Sequence, residues 1–215
     1  KSVQVFELNG RTPSPIQFSR EMFNYGRLKI GGSLPDNVGF AGFRVLGSLN
    51  LPADELVSFV GASYFRALCL KTVYGLSARG LAINTAEPEG EEFPVFEEFW
   101  IERPAAGAKQ FVIYALMDSA SVAGAYRFTI APGADTVMQV KAAVYCRKNP
   151  KLLGLAPLTS MFWHGENSGT NHGDFRPEVH DSDGLMIFNG ASEWLWRPLS
   201  NPKATRVSAF SDENP

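Results

Sequence analysis

The eleven residues "FRPEVHDSDGL", 175 to 185, gather Arg176, Glu178, His180, Asp181 and Asp183 into one short stretch of an otherwise apolar and small-residue chain. In an extended segment Asp181 and Asp183, two positions apart, share one face while His180 and Ser182 point the other way. Two such carboxylates can serve catalysis, ligate a cation or sit in an ordinary polar loop. The spacing alone leaves all three open. Hydrolysis of a glycosidic bond needs a pair of carboxyl groups, one a protonated acid and the other a base or nucleophile. Arg176 and His180 could keep an aspartate ionised and oriented. In the structural alternative Asp181 caps a turn and Arg176 pairs with Glu178 or Asp183.

Metal ligation is the weaker reading. The three histidines of the chain, His164, His172 and His180, recur near Asp174, Asp181 and Asp183. Their spacing matches no ligand motif, and a zinc site wants three or four convergent ligands. Hydrogen bonding at loop and strand edges accounts for them, and no metal or other cofactor is expected. Cys69 and Cys146 are the only cysteines, which excludes both a disulfide framework and a four-cysteine zinc site. They are expected as free core thiols, since unpaired cysteine behaves as a small hydrophobe.

Binding side chains stand out elsewhere. In "SEWLWRPLSNP", Trp194 and Trp196 alternate with Glu193 and Leu195, so both indoles share one strand face, a platform suited to stacking on sugar rings. Core packing is the competing account. "GASYFR" and "YGLSARGLAI" place Tyr64, Arg66, Tyr74 and Arg79 among glycines, where the backbone can approach another surface closely. Those glycines form no phosphate loop, because no Lys-Ser/Thr pair follows. "EGEEFPVFEEFW", 89 to 100, reads as a solvated edge carrying core phenylalanines.

The elements that must position these residues read as strands. In "TVMQVKAAVYCR", Met138, Val140, Ala142, Val144 and Cys146 alternate with polar or mixed residues, which predicts a half-buried antiparallel strand. "QFVIYALM" and "AYRFTI" are rich in β-branched and aromatic residues, and the "DSASVAGA" between them predicts a hairpin with a long loop. "APGAD" is the next turn, so the three strands form a meander. "LPADELVSF" is assigned to strand because Val57, Phe59 and Gly61 interrupt helical periodicity. With 20 Gly, 14 Pro and 16 Phe and no sustained helical stripe, the composition predicts an all-β chain built as a large sandwich of antiparallel sheets. A single domain over residues 1–215 is expected. The longest irregular stretch, 163 to 184, is a loop of the length that is usually functional or disordered.

Charge narrows the partners. Twenty Lys and Arg against 22 Asp and Glu give a net charge of -2, so neither nucleic acid nor an anionic membrane is indicated. No apolar run approaches the roughly 20 residues of a membrane span. A neutral or polar ligand fits better.

Several long stretches go further: "GFAGFRVLG", "ELVSFVGASYFRAL", "YGLSARGLAINTAEPEGEEFPVFEEFWIERP", "YALMDSASVAGAYRFTIAPGADTVMQV", "LGLAPLTSMFWHGENS", "DFRPEVHDSDGL" and "SEWLWRPLSNP". Together, from about residue 38 to the end, the chain resembles the glucan biosynthesis proteins G and D (OpgG/OpgD, formerly MdoG), exported proteins that act on osmoregulated periplasmic glucans. One departure is "GASEWLW", where the family more often has an extra Asn-Gly before the glutamate. The resemblance implies a large β-sandwich, a supersandwich similar to galactose mutarotase, followed in the full protein by a smaller immunoglobulin-like domain beyond this chain. On that reading residues 1–215 are a fragment of a longer periplasmic protein.

The resemblance also implies a β-1,2-glucan substrate and, for D-type members, an inverting endo-glucanase activity. Carried over by motif position, the general base is Asp181, and the general acid lies downstream of Pro215. Tyr64, Arg79, Arg176, His180, Asp183, Trp194 and Trp196 are the expected substrate-binding or base-positioning residues. The expected partner is a β-glucan polysaccharide, with contact to glucan-synthesising membrane proteins and homodimerisation left open. A non-catalytic protein that binds glucan and assists its synthesis, branching or release is the alternative.

Overall fold

The computed structural model describes residues 2–28, 33–35, 37–72, 76–169 and 173–212. These residues form two compact units, 1–158 and 159–215. Strands dominate both, and among the described residues the single helical element is a 3-10 turn at Arg20–Met22. The expectation of an all-β fold is met.

The first unit contains β1 (Gln4–Asn9), β2 (Thr12–Pro15), β3 (Gly42–Gly47), β4 (Asp54–Val60), β5 (Tyr64–Ala67), β6 (Ser77–Arg79) and β7 (Leu81–Ile83). It continues with β8 (Val95–Glu102), β9 (Phe111–Asp118), β10 (Val122–Ala131), β11 (Val137–Cys146) and β12 (Leu153–Leu155), and β13 (Leu158–Thr159) spans the junction of the units. One sheet has the order β11-β10-β9-β8-β1-β2, and β6-β5-β4-β3 run side by side in another. Nearly every pairing is antiparallel, as expected. The exception is β1 against β8, which run parallel from Gln4 opposite Glu98 to Leu8 opposite Glu102. A parallel pair needs a long crossover, and here β2 to β7 are formed by the chain between its two members.

In β4 the consecutive residues Leu56, Val57, Ser58 and Phe59 are all buried, Val57 and Phe59 almost completely, and pairing with β3 and β5 makes the stretch a strand and not the helix that "LPADELVSF" could suggest. These side chains meet those of β8 and β10 in an aromatic cluster. Phe59 and Phe128 lie 5.0 Å apart at 73°, Phe43 and Phe99 4.9 Å apart at 78°, and Phe96 and Tyr126 5.1 Å apart at 77°. Such edge-to-face pairs each contribute about 0.5–1.5 kcal/mol beyond the area they bury. Because Phe43, Phe59 and Phe65 come from one sheet and Phe96, Phe99 and Phe128 from the other, the cluster joins the two sheets. Tyr126 is buried too, and its hydroxyl donates to the Gly80 carbonyl at 2.9 Å. Burial pushes that phenol up to about 12.

Three local expectations are corrected. The loop between β9 and β10 is short, Ser119–Ser121, because the strands extend into "DSASVAGA". The Glu92 carboxylate closes it by accepting from the Ser121 backbone and hydroxyl at 2.8 and 2.7 Å. Burial raises the pKa of this carboxyl, and the serine hydrogen bonds outweigh burial and leave it below its usual value. The acidic stretch 89–100 is no edge: its strand β8 lies between β9 and β1, with Phe96 and Phe99 buried. At the other extreme β11 is an edge strand, and only Met138 and Val144 of its apolar face pack on the core. Val140 is 45% exposed and Cys146 is exposed, so that cysteine is a free surface thiol, while Cys69 is half-buried and also free.

The second unit is built from short pieces. A short ladder pairs β14 (Phe162–His164) with β15 (Val179–His180), and a hairpin pairs β16 (Gly184–Phe188) with β17 (Trp194–Pro198).

Candidate functional site

The acidic stretch of the second unit starts on β15 and leaves it at His180. Asp181 follows directly, and its backbone amide donates to the Met161 carbonyl at 2.8 Å. In return the Met161 amide lies 3.4 Å from Asp181 Oδ2. The carboxylate is thereby held at an exposed strand end by one oxygen. Among the described residues Oδ1 has no protein hydrogen-bond partner, and Asp181 as a whole is exposed.

The strand alternation does not continue through Asp183. Ser182 Oγ donates to the Gly184 carbonyl at 3.0 Å, and the chain turns before β16 begins. As a result Asp183 lies on the side of His180, with Oδ1 3.5 Å from His180 Nε2. The shared face expected for Asp181 and Asp183 is therefore replaced by a Glu178–His180–Asp183 group. Glu178 Oε2 is 3.1 Å from the same Nε2. The imidazole is fixed by stacking on Phe162, with centroids 5.4 Å apart at 18°.

Arg176 is engaged elsewhere. Its Nε and Nη2 donate to the two oxygens of Asp174 at 2.9 and 2.6 Å, and its backbone amide donates to Asp174 Oδ1 at 3.0 Å. The planar guanidinium matches a carboxylate in this forked geometry. The pairing expected with Glu178 or Asp183 gives way to it, because Asp174 accepts from both the backbone amide and the guanidinium of Arg176. Hydrogen bonds from Arg176 hold the Asp174 carboxyl well below the usual carboxylate range. His164, which is buried, places Nε2 3.2 Å from the Arg176 carbonyl. This contact agrees with the loop and strand-edge hydrogen bonding expected of the histidines, though its partner was not legible in the sequence.

The indoles behave as their alternation predicts. Trp194 stands opposite Phe188 and Trp196 opposite Met186, so all four side chains lie on one face of the β16–β17 hairpin. Trp194 is 66% and Trp196 49% exposed. Core packing does not explain rings so accessible within this unit. Phe188 supports Trp194 at 4.8 Å. Trp163 and Phe175 are exposed as well, and these aromatic positions were not singled out by sequence reasoning.

Tyr64 and Arg79 lie together in the first unit, opposite each other on β5 and β6. The Arg79 guanidinium stands 5.5 Å from the Tyr64 ring centre and 4.9 Å from that of Phe93, while Nη1 donates to Glu91 Oε1 at 2.7 Å. Its side chain is 8% exposed. Paired and stacked in this way, Arg79 is held chiefly by its own unit. Tyr74 and His172 lie outside the described residues.

The chain is all-β, and its second unit carries an exposed aspartate held by backbone and a face of accessible indoles. A family model described as "Periplasmic glucan biosynthesis protein, MdoG" matches residues 1–215, including the segment before residue 38. The chain belongs to this family. It is 54% identical over 215 residues to the glucans biosynthesis protein G of Ralstonia nicotianae, covering 99% of this chain and 43% of that protein. The glucans biosynthesis protein G of Pseudomonas aeruginosa PAO1 is also 54% identical, with 99% and 41% covered. A probable glucans biosynthesis protein D of Shewanella oneidensis is 51% identical over 214 residues, with 99% and 39% covered. The chain thus spans less than half the length of these relatives. Among the described residues no helix is long and apolar enough to cross a membrane.

Proposed function

We propose that these residues form part of a periplasmic protein that binds a β-1,2-linked glucan backbone and hydrolyses it with inversion, Asp181 acting as general base. The observation that carries this reading is the Asp181 carboxylate, held through Oδ2 by the Met161 amide at an exposed position. Inversion needs a water between two carboxyl groups roughly 6.5–9.5 Å apart, one taking a proton from the water and the other giving one to the leaving oxygen. Asp181 would take the first role, and the acid would come from the remainder of the longer protein. The exposed faces of Trp194 and Trp196 supply surfaces on which glucose rings can stack.

A second reading, glucan binding in support of synthesis or release without cleavage, is favoured by the names of the relatives, which speak of biosynthesis. Linear β-1,2-glucan incubated with the full-length protein separates the two. Progressive shortening supports hydrolysis, and binding with unchanged chain length supports the second reading. Full-rate shortening by Asp181→Asn would remove Asp181 from the role of base.

A further inference from the structure

The group around His180 has a geometry that glucan chemistry does not require. Glu178, His180 and Asp183 each offer one donor atom, and the three atoms lie within 4.8 Å of one another. We infer that these three side chains form a binding site for one divalent transition-metal ion of the zinc or manganese type. The inference goes beyond the glucan reading and does not depend on it.

Distances supply the argument. An ion bound at about 2.0–2.2 Å by nitrogen and oxygen sets neighbouring ligands about 3.0–3.4 Å apart, the lower figure for octahedral and the upper for tetrahedral coordination. His180 Nε2 lies 3.1 Å from Glu178 Oε2 and 3.5 Å from Asp183 Oδ1. Small rotations of two exposed carboxylates are enough to close on an ion. Ring orientation is already set, because stacking on Phe162 holds the imidazole and Nδ1 is buried, so Nε2 is the nitrogen turned to the carboxylates. One imidazole and two carboxylates form a mixed donor set that suits zinc or manganese better than the all-oxygen preference of calcium or magnesium. Three protein ligands leave further positions to water, as in open zinc sites. The buried Nδ1 has no hydrogen-bond partner among the described residues. Without that buttress the affinity should fall short of sites whose histidine is held by an outer carboxylate.

The test is calorimetric titration of metal-free, full-length protein with Zn²⁺, repeated with Mn²⁺ and followed by its electron paramagnetic resonance. One ion per chain is expected. Glu178→Gln and Asp183→Asn, both at exposed side chains, should each weaken binding at least about tenfold. His180→Phe keeps a ring to stack on Phe162 and should abolish binding. Glu166→Gln and Cys146→Ser should bind as the unsubstituted protein does, and unchanged thermal unfolding of all variants in chelator shows that each is folded. Absence of saturable binding, or binding that survives Glu178→Gln and Asp183→Asn, overturns the site. So does binding lost with Cys146→Ser. None of these readouts involves cleavage of glucan, so failure here is distinct from failure of the hydrolytic reading.

Discussion

A cluster of aromatic rings is buried in the first unit, whereas indoles are displayed in the second. Phe59, Phe96 and Phe128 of the first are almost fully enclosed, whereas Trp163, Phe175 and Trp194 of the second stand more than half exposed. Titratable groups follow the same division. In the first unit Arg79 and Glu92 are tied to neighbours that satisfy packing and loop closure, while in the second an aspartate faces water beside a separate group of three ionisable side chains. Burial converts apolar area into stability, and exposure keeps polar and aromatic groups available to a ligand. The contrast assigns cohesion to the first unit and leaves the second with the more accessible rings and carboxylates.

Core truncation should break the contrast most strongly. Phe59→Ala or Phe128→Ala removes a ring from the cluster joining the two sheets, at an expected cost of about 3–5 kcal/mol in denaturant unfolding. Alkali acts on the same core through Tyr126. Its pKa is raised in the fold from 10.0 to about 12, so the neutral form is the one the fold favours. That contribution is complete below pH 10 and is lost as pH rises through 12, amounting to roughly 3 kcal/mol. Tyr126→Phe should flatten the alkaline limb of an unfolding-versus-pH profile. Gly80 tests how tightly the same region is packed. A Cβ there would lie 2.5 Å from Met117 Cε and 2.7 Å from Phe96 Cζ, and Gly80→Ala should cost about 1–3 kcal/mol.

The second unit should respond in the opposite sense. Trp194→Ala is expected to change unfolding by about 0.5 kcal/mol or less yet weaken glucan binding by roughly three- to tenfold, the scale of a lost aromatic stack. The smallest effect belongs to Asp174. Its pKa lies below the ordinary 3.8 in the fold, so its stabilising contribution is present above that value and lost as pH falls through the lower one. Asp174→Asn should remove a shallow acid limb from the melting profile and leave neutral pH nearly unchanged.

Much of the first unit was legible because strand alternation is local. The pattern in "QFVIYALM" and "AYRFTI" fixes β9 and β10, and Ile113 and Phe128 fall on their core faces. What alternation cannot report is which strands become neighbours across long separations. The parallel β1–β8 pair and the central place of β8 were hidden for that reason. In the candidate site the Trp194 and Trp196 face followed from their spacing, as their strand is regular. The Asp181–Asp183 relationship did not, because Ser182 hydrogen bonding bends the chain as soon as β15 ends. Arg176 had several acids within reach along the chain, and only three-dimensional geometry selects Asp174.

The central claim is that Asp181 supplies the water-activating carboxylate of a glucan hydrolase. Its direct measurement is the rate of linear β-1,2-glucan shortening by full-length protein and its Asp181→Asn variant, with unfolding of both recorded. The account predicts equal stability and a rate lowered by about 10²–10⁴-fold, the range for loss of a general base. An Asp181→Asn protein that folds normally and shortens the glucan at the unsubstituted rate would contradict it.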